Sequence, residues 1–309
     1  MQPGISTHVF LPHRLHTGLL DAMHRAGATA IEIFAARHHF DYTDRSANRD
    51  LSTWFRDTGT RPSLHQPLYA DAQWSRHVAP NLNLIDLEKS RRILAMDETK
   101  RALESAEQIP FRSVTLHLGA KDDPWDERAL EHSLTAIEHL KAFAGPLGVQ
   151  ILLENLQNDV TTPEHLLEIL RVGHFDTVGI CLDLGHAHLI NDKDPAAGID
   201  AAFELLKPRI AQLHLHDNHG RTDEHLWPSL PTTPDREGKL RSNDLPSSTI
   251  DWRHIHRLTS TLPPDTPGIL EIAHDLNETP DSVQQKATTF FDFQHRLTDQ
   301  ASAKSEQPQ

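Results

Sequence analysis

The sequence predicts a single (β/α)8 barrel. Three observations carry that reading. Eight short apolar runs alternate with longer amphipathic stretches along the 309 residues, no composition break separates them, and most of the runs close on a histidine or a carboxylate. The alternative, an open doubly wound sheet, ordinarily carries a glycine-rich loop after an early strand, and neither GxGxxG nor GxxxxGK[ST] occurs. A nucleotide cofactor is therefore not expected.

The expected strands are ISTHVF (5–10), AIEIF (30–34), PSLH (62–65), SVTLH (113–117), QILLE (150–154), VGICLD (178–183), IAQLHLH (210–216) and GILEI (268–272). Between them, LHTGLLDAMHRAG, DLEKSRRILAMDETKRALESAEQ, DERALEHSLTAIEHLKAFAG and PDSVQQKATTFFDFQHRL repeat apolar residues every three or four positions, the helical period. Gly27 and Gly145 stand where helices should stop, and Pro163 and Pro195 where helices should start. Two connections are long. Residues 66–85 carry Tyr69, Trp74, Arg76 and His77, and the insert at 226–249 has four prolines and no apolar period, which suits a lid, a binding loop or a disordered excursion. The barrel is expected to fill residues 1–297 as one domain, with 298–309 a polar, disordered tail.

Composition removes several function classes. The net charge of -14 disfavours a partner held through its phosphate backbone, so DNA is not the expected ligand. Cys181 is the single cysteine, which excludes an internal disulfide and any Cys-x-x-Cys metal site. No leader-like N-terminus and no long apolar run is present, so a cytoplasmic protein without a membrane partner is expected.

The polar residues then fall where barrel chemistry is built, at the C-terminal ends of strands. His65, His117, Glu154, Asp183, the pair His214 and His216, and Glu271 close successive runs. A strand alternates its faces, so Cys181 and Asp183 should share the interior with each other while Ile180 and Leu182 face the helices. Taken singly, a rim histidine is often no more than a partner for a backbone carbonyl. A carboxylate after a buried run, as in QILLE and GILEI, is costly unless a cation or several donors meet it. The GHAH loop adds His186 and His188, and RTDEH adds Asp223 and His225. Glu154, Asp183, His214 and Glu271 are the expected metal centre, with His65, His117, His186, Asp223 and His225 as further ligands. This oxygen and nitrogen set suits Zn, Mn, Co, Fe or Ni. Nine ligands exceed what one ion takes, so either the outer residues touch substrate or two to three ions bind. His188 and His216 are expected to support ligands or touch substrate, Cys181 to be a small interior residue, and His132, His139, His174 and His219 to be ordinary surface or helix histidines.

LLENL around Glu154, CLDLGHAH around Asp183, LHLHDN around His214, TIDW, and GILEIAHD around Glu271 together resemble the xylose isomerase-like TIM barrel superfamily over about residues 5–295. That superfamily includes sugar and sugar-phosphate isomerases and epimerases, inosose dehydratases, and trinuclear-zinc apurinic endonucleases. The isomerase branch implies one divalent ion on Glu154, Asp183, His214 and Glu271, with the two glutamates moving a proton between neighbouring carbons and His186 holding substrate oxygens. Glu154, Glu271 and His186 are then the catalytic residues, and the substrate is a small polyhydroxylated molecule. The endonuclease branch implies three zinc ions on all nine residues and phosphoester hydrolysis. A non-catalytic carbohydrate-binding barrel is the third reading, and it predicts arginines against the strand-end carboxylates. The chain departs from the family where WPSLPTTPDREGKLRSNDLPSS replaces a short glycine-rich turn after His225, which argues against a phosphorylated substrate.

Overall fold

The computed structural model of the chain describes residues 1–70, 80–190, 194–230 and 250–305. Eight parallel strands close in sequence order into a barrel: β1 (Gln2–Ser6), β2 (Ala30–Phe34), β3 (Arg61–His65), β4 (Ser113–Leu116), β5 (Gln150–Glu154), β6 (Gly179–Asp183), β7 (Ile210–Leu215) and β8 (Pro267–Leu270). The ring is shut by β8 pairing with β1, with Gly4 opposite Ile269 and Ile5 opposite Leu270.

The helices that cover it are α1 (Thr17–Arg25), α2 (Arg45–Thr58), α3 (Lys89–Glu104), α4 (Glu127–Ala144), α5 (Pro163–Val172), α6 (Leu184–His188), α7 (Pro195–Leu206), α8 (Trp252–Thr259) and α9 (Pro280–Ser305). Local chemistry sets their starts. The Asp44 carboxylate accepts from the Ser46 and Ala47 amides, Asp126 accepts from Ala129, and Thr162 precedes Pro163 at the first turn of α5. α4 stops at Ala144, and the left-handed residue that ends this segment is Gly148 (φ 73°), three positions beyond the expected stop at Gly145.

Side-chain alternation divides the strands as expected. Ile31, Ile33, Leu64, Val114, Ile151, Leu153, Ile180, Leu182, Leu213 and Leu215 join one continuous apolar core between barrel and helices. The alternate residues face the barrel interior, where Glu32, Ser63, Thr115, Cys181 and Gln212 are all buried.

Two expectations are corrected. The first strand ends at Ser6, and Thr7–Phe10, read as its continuation, is a 3-10 turn. Thr7 Oγ1 accepts the Phe34 amide at 2.9 Å, so a side chain takes the place of the next ladder bond and the backbone is released to turn. At the other end, α9 continues past residue 297 through Ser305, so most of the expected polar tail is helical, while 306–309 lie outside the described residues. Trp74, Arg76 and His77, and the insert from 231 to 249, also lie outside them. Among the described residues no helix is long and apolar enough to cross a membrane.

Candidate metal centre

Parallel register brings the polar strand ends to one level. Glu154 pairs with Cys181, Asp183 with His214, and His214 with Ile269, while Glu271 follows β8 directly with its amide donating to Leu215 O at 3.1 Å. The result is a central group in which Nδ1 of His214 lies 3.2 Å from Glu271 Oε2, 3.4 Å from Glu154 Oε1 and 3.8 Å from Asp183 Oδ2. All four side chains are buried.

Two further groups flank it. His65, His117 and Glu154 form one, with His117 Nε2 3.0 Å from Glu154 Oε2 and 3.1 Å from His65 Nε2. His186, His216, Asp223 and His225 form the other, with Asp223 3.1 Å from His186 Nε2 and 3.2 Å from His225 Nε2. Within each group one ligand atom per residue can be chosen so that all lie within 4.8 Å of one another. Glu154 belongs to both the central group and the first flanking group.

Proton bookkeeping at the histidines tests whether cations fit. A carbonyl or carboxylate oxygen only accepts, so a ring nitrogen facing one as hydrogen-bond donor must carry the proton. His65 donates through Nδ1 to Gln66 O at 2.9 Å, His186 through Nδ1 to Asn155 O at 2.8 Å, and His225 through Nδ1 to Glu271 O at 2.9 Å. His214 instead donates through Nε2 to the Glu32 carboxylate at 3.2 Å. In each neutral ring the remaining nitrogen is a bare lone pair, and for His186, His214 and His225 it points at carboxylate oxygen. Lone pair against lone pair is unfavourable unless a proton or a metal cation stands between them, and a divalent ion fits this donor set.

Without a metal, protons take that place. Burial lowers the His186 and His214 imidazoles, but surrounding acidic groups outweigh it and hold both well above the ordinary value. Burial likewise lowers His225, and Asp223 overcomes it, raising the ring to about 9. The carboxylates respond in the opposite sense: burial raises Glu154 and Glu271, and His214 with neighbouring imidazoles pulls both well below the carboxylate range. Cys181 could join Glu154 and His214 as a third ligand type, but burial pushes its thiol up to about 12, so it stays a neutral interior residue.

Asp223 and His225 reach the mouth by a tight turn. Asp217 and Leu226 exchange two backbone hydrogen bonds, 2.8 and 2.9 Å, which folds the intervening residues back over β7. His225 adopts φ 47°, a left-handed conformation uncommon outside glycine, and strain of that kind concentrates at functional sites. Asp217 braces the turn, accepting from the amides of Asn218 (2.9 Å), Ser229 (2.9 Å) and Ile250 (3.1 Å). His188 bonds Asn218 Oδ1 at 2.8 Å, and Asn218 donates to Gly185 O at 2.9 Å, so His188 supports this loop. His216 sits closer to the chemistry than a supporting role requires: its Nε2 is 3.0 Å from Asp183 Oδ1, and it belongs to the outer ligand group. Its ring fits because residue 185 is glycine, where a Cβ would lie 2.0 Å from His216 Cε1. Phe34 stacks on His65 with ring centroids 4.6 Å apart and fixes that ring from the β2 side.

All nine residues expected as ligands therefore converge on one barrel mouth. The sequence reading did not single out Glu32 or Asp217. The signal for Glu32 was an anion between two isoleucines in AIEIF. Among the basic residues, Arg37 is engaged by Glu98 and Arg45 pairs with Glu107, while Arg236, Lys239 and Arg241 lie outside the described residues. His219 is a surface histidine paired with Glu224 at 2.9 Å.

Comparison with known proteins places this geometry in a family. The Methanocaldococcus jannaschii protein MJ1311 is 29% identical over 153 residues, 47% of this chain and 51% of that protein. The chain thus spans about half the length of this curated relative. Among solved structures, a D-tagatose 3-epimerase-like protein superimposes with a TM-score of 0.69 at 21% identity, covering 98% of this chain and 100% of that one. A structure of IOLI protein with a binding zinc atom gives 0.67 at 19% identity, covering 94% and 97%. At these identities the two structures show a shared fold. The family model for the xylose isomerase-like TIM barrel matches residues 20–289, and the chain belongs to that family.

Proposed function

We propose that this protein is a divalent-metal-dependent sugar or polyol isomerase or epimerase, with dehydration of the same substrate class as a variant of the reaction. One observation carries the reading: Glu154, closing β5, and Glu271, just beyond β8, flank the bare Nδ1 of His214 at 3.4 and 3.2 Å. A divalent ion held by Glu154, Asp183, His214 and Glu271 would supply Lewis acidity, lowering the cost of an enediolate formed from a carbonyl and its neighbouring hydroxyl. One glutamate takes the carbon-bound proton and the other returns a proton to the adjacent carbon or the opposite face. His186, fixed by Asn155 O, orients substrate oxygens. The fold shared with a D-tagatose 3-epimerase-like protein and with zinc-bound IOLI supports a small polyhydroxylated substrate and zinc among the candidate metals.

A second reading, multinuclear zinc phosphoester hydrolysis, is favoured by the two flanking groups. His65, His186 and His225 each keep a bare nitrogen turned into a pocket that holds a carboxylate, an arrangement that one central ion leaves unused. A purely carbohydrate-binding barrel is the weaker account, because among the described residues no arginine or lysine pairs with Glu154, Asp183, Asp223 or Glu271.

The test joins elemental analysis of protein purified without chelator to two assays. Solvent deuterium entering the C–H bonds of a ketose and inosose panel, abolished in Glu154→Gln and Glu271→Gln, supports isomerase chemistry. Hydrolysis of bis-p-nitrophenyl phosphate with two or three ions per chain, lost in Asp223→Ala, replaces it with the hydrolase.

A further inference from the structure

We propose that Glu32 is the positioning residue of the metal centre: it fixes His214 as the Nε2–H tautomer and so keeps Nδ1 as the ligand atom. The inference rests on the reading that Glu154, Asp183, His214 and Glu271 hold an ion.

Glu32 is fully buried in the middle of β2, inside the barrel and below the ring of strand-end ligands. No lysine or arginine pairs with it among the described residues, and a buried carboxylate in that situation must be met by hydrogen-bond donors. Two strands supply contacts to its oxygens. Thr115 Oγ1 on β4 donates at 3.1 Å, Gln212 Nε2 on β7 donates at 2.7 Å, and His214 Nε2 lies 3.2 Å from each carboxylate oxygen.

The direction of each bond decides the tautomer. Gln212 Nε2 also lies 3.2 Å from Thr115 Oγ1, so the amide donates to the hydroxyl and the hydroxyl donates onward to Glu32. Gln212 Nε2 also lies 3.3 Å from His214 Nε2, but its shortest contact is the 2.7 Å bond to Glu32, which can only accept. His214 Nε2 therefore has one role left beside Glu32, which is to donate. The ring proton stays below, and the lone pair on Nδ1 rises into the three carboxylates above. A neutral glutamine at 32 would remove that constraint, because its amide can donate to Nε2 and let the proton move to Nδ1, where it blocks metal. Groups that fix a ligating histidine in this way govern metal affinity without touching the metal.

The test uses chelator-stripped full-length protein titrated with Zn(II) against a chromophoric competitor, for wild type, Glu32→Gln and Thr115→Val. Zn(II)-loaded wild type and Glu32→Gln are also compared by long-range 1H–15N NMR of His214. Glu32→Gln should weaken the central site about 10- to 100-fold and broaden or move the Nε2 proton. Thr115→Val removes one donor to Glu32 and leaves His214 in place, so it should stay within about threefold of wild type on the same scale. Equal affinities in wild type and Glu32→Gln overturn the inference alone, as does an equal loss in both variants with the His214 proton unmoved. A wild type that binds no Zn(II) overturns the metal-centre reading together with it. Should Glu32→Gln fail to fold, the loaded wild type still decides: a His214 ring without a proton on Nε2 overturns the assignment.

Discussion

The Nε2 atoms of His65 and His117 face each other at 3.1 Å, and Glu154 Oε2 stands 3.0 Å from the second. Since His65 spends its Nδ1 proton on Gln66 O, its Nε2 can only accept, and the pair shares its remaining polarity with a carboxylate that also serves the central group. Filling one group therefore alters the charge felt by the next, and Glu154 is the hinge of that dependence.

Zn(II) uptake should release protons. In the stripped protein His186, His214 and His225 are held protonated near neutral pH, and a metal needs each bare. Calorimetry in buffers of differing ionisation enthalpy should count about one proton per chain if only the central group fills, and about three or more if all three groups fill. The count can exceed three because burial lowers His65 but Glu154 and the neighbouring carboxylates raise it above its ordinary value. A count near zero would contradict the protonation assigned to these rings.

The stripped protein should lose stability on the alkaline side. His225 has a folded-state value of about 9 against an ordinary 6.5, so its bond to Asp223 contributes in full below 6.5 and is lost as pH rises through 9. The urea midpoint should fall across that window, and His225→Gln should flatten part of the fall. A midpoint equally steep in the variant would remove His225 as a cause.

Gly185→Ala reverses the usual helix rule. Alanine stabilises a helix interior by about 1 kcal/mol over glycine. Here its Cβ would lie 2.0 Å from His216 Cε1, so overpacking of about 1–3 kcal/mol should win. Chemical denaturation measures the sign directly, and a stabilised variant would show that His216 does not occupy this position.

Asp217→Ala should be among the more damaging single changes outside the ligands. It strips the acceptor from the amides of Asn218, Ser229 and Ile250, and a buried donor left unpaired costs about 1–3 kcal/mol. Urea denaturation should show a loss of at least about 3 kcal/mol, with Asp217→Asn milder because one oxygen still accepts. Equal loss in both variants would mean the bracing is electrostatic.

The legibility of this molecule follows from where each polar residue stands on its strand. Residues at strand ends declare themselves, because the two-residue period fixes their face and the barrel fixes their level, and this brings Asp183, His214 and Glu271 to one place. Glu32 escaped because its partners, Thr115, Gln212 and His214, come from strands distant in sequence. THVF read as strand because its alternation is that of a strand, and only the Thr7 hydroxyl bonding Phe34 N shows why the ladder stops there. Asp217 looked like one more acid in a polar run, and its role depends on two amides that flank an excursion of the chain.

That last carboxylate has an evolutionary consequence. By gripping Ser229 and Ile250 together, Asp217 gives the insertion fixed endpoints that do not depend on what lies between them. Doubling the length of a loop whose ends are already pinned costs only about 0.6 kcal/mol. The residues between those endpoints can therefore change in length or composition from one descendant to the next while Asp223 and His225, on the other side of the Asp217 brace, keep their spacing.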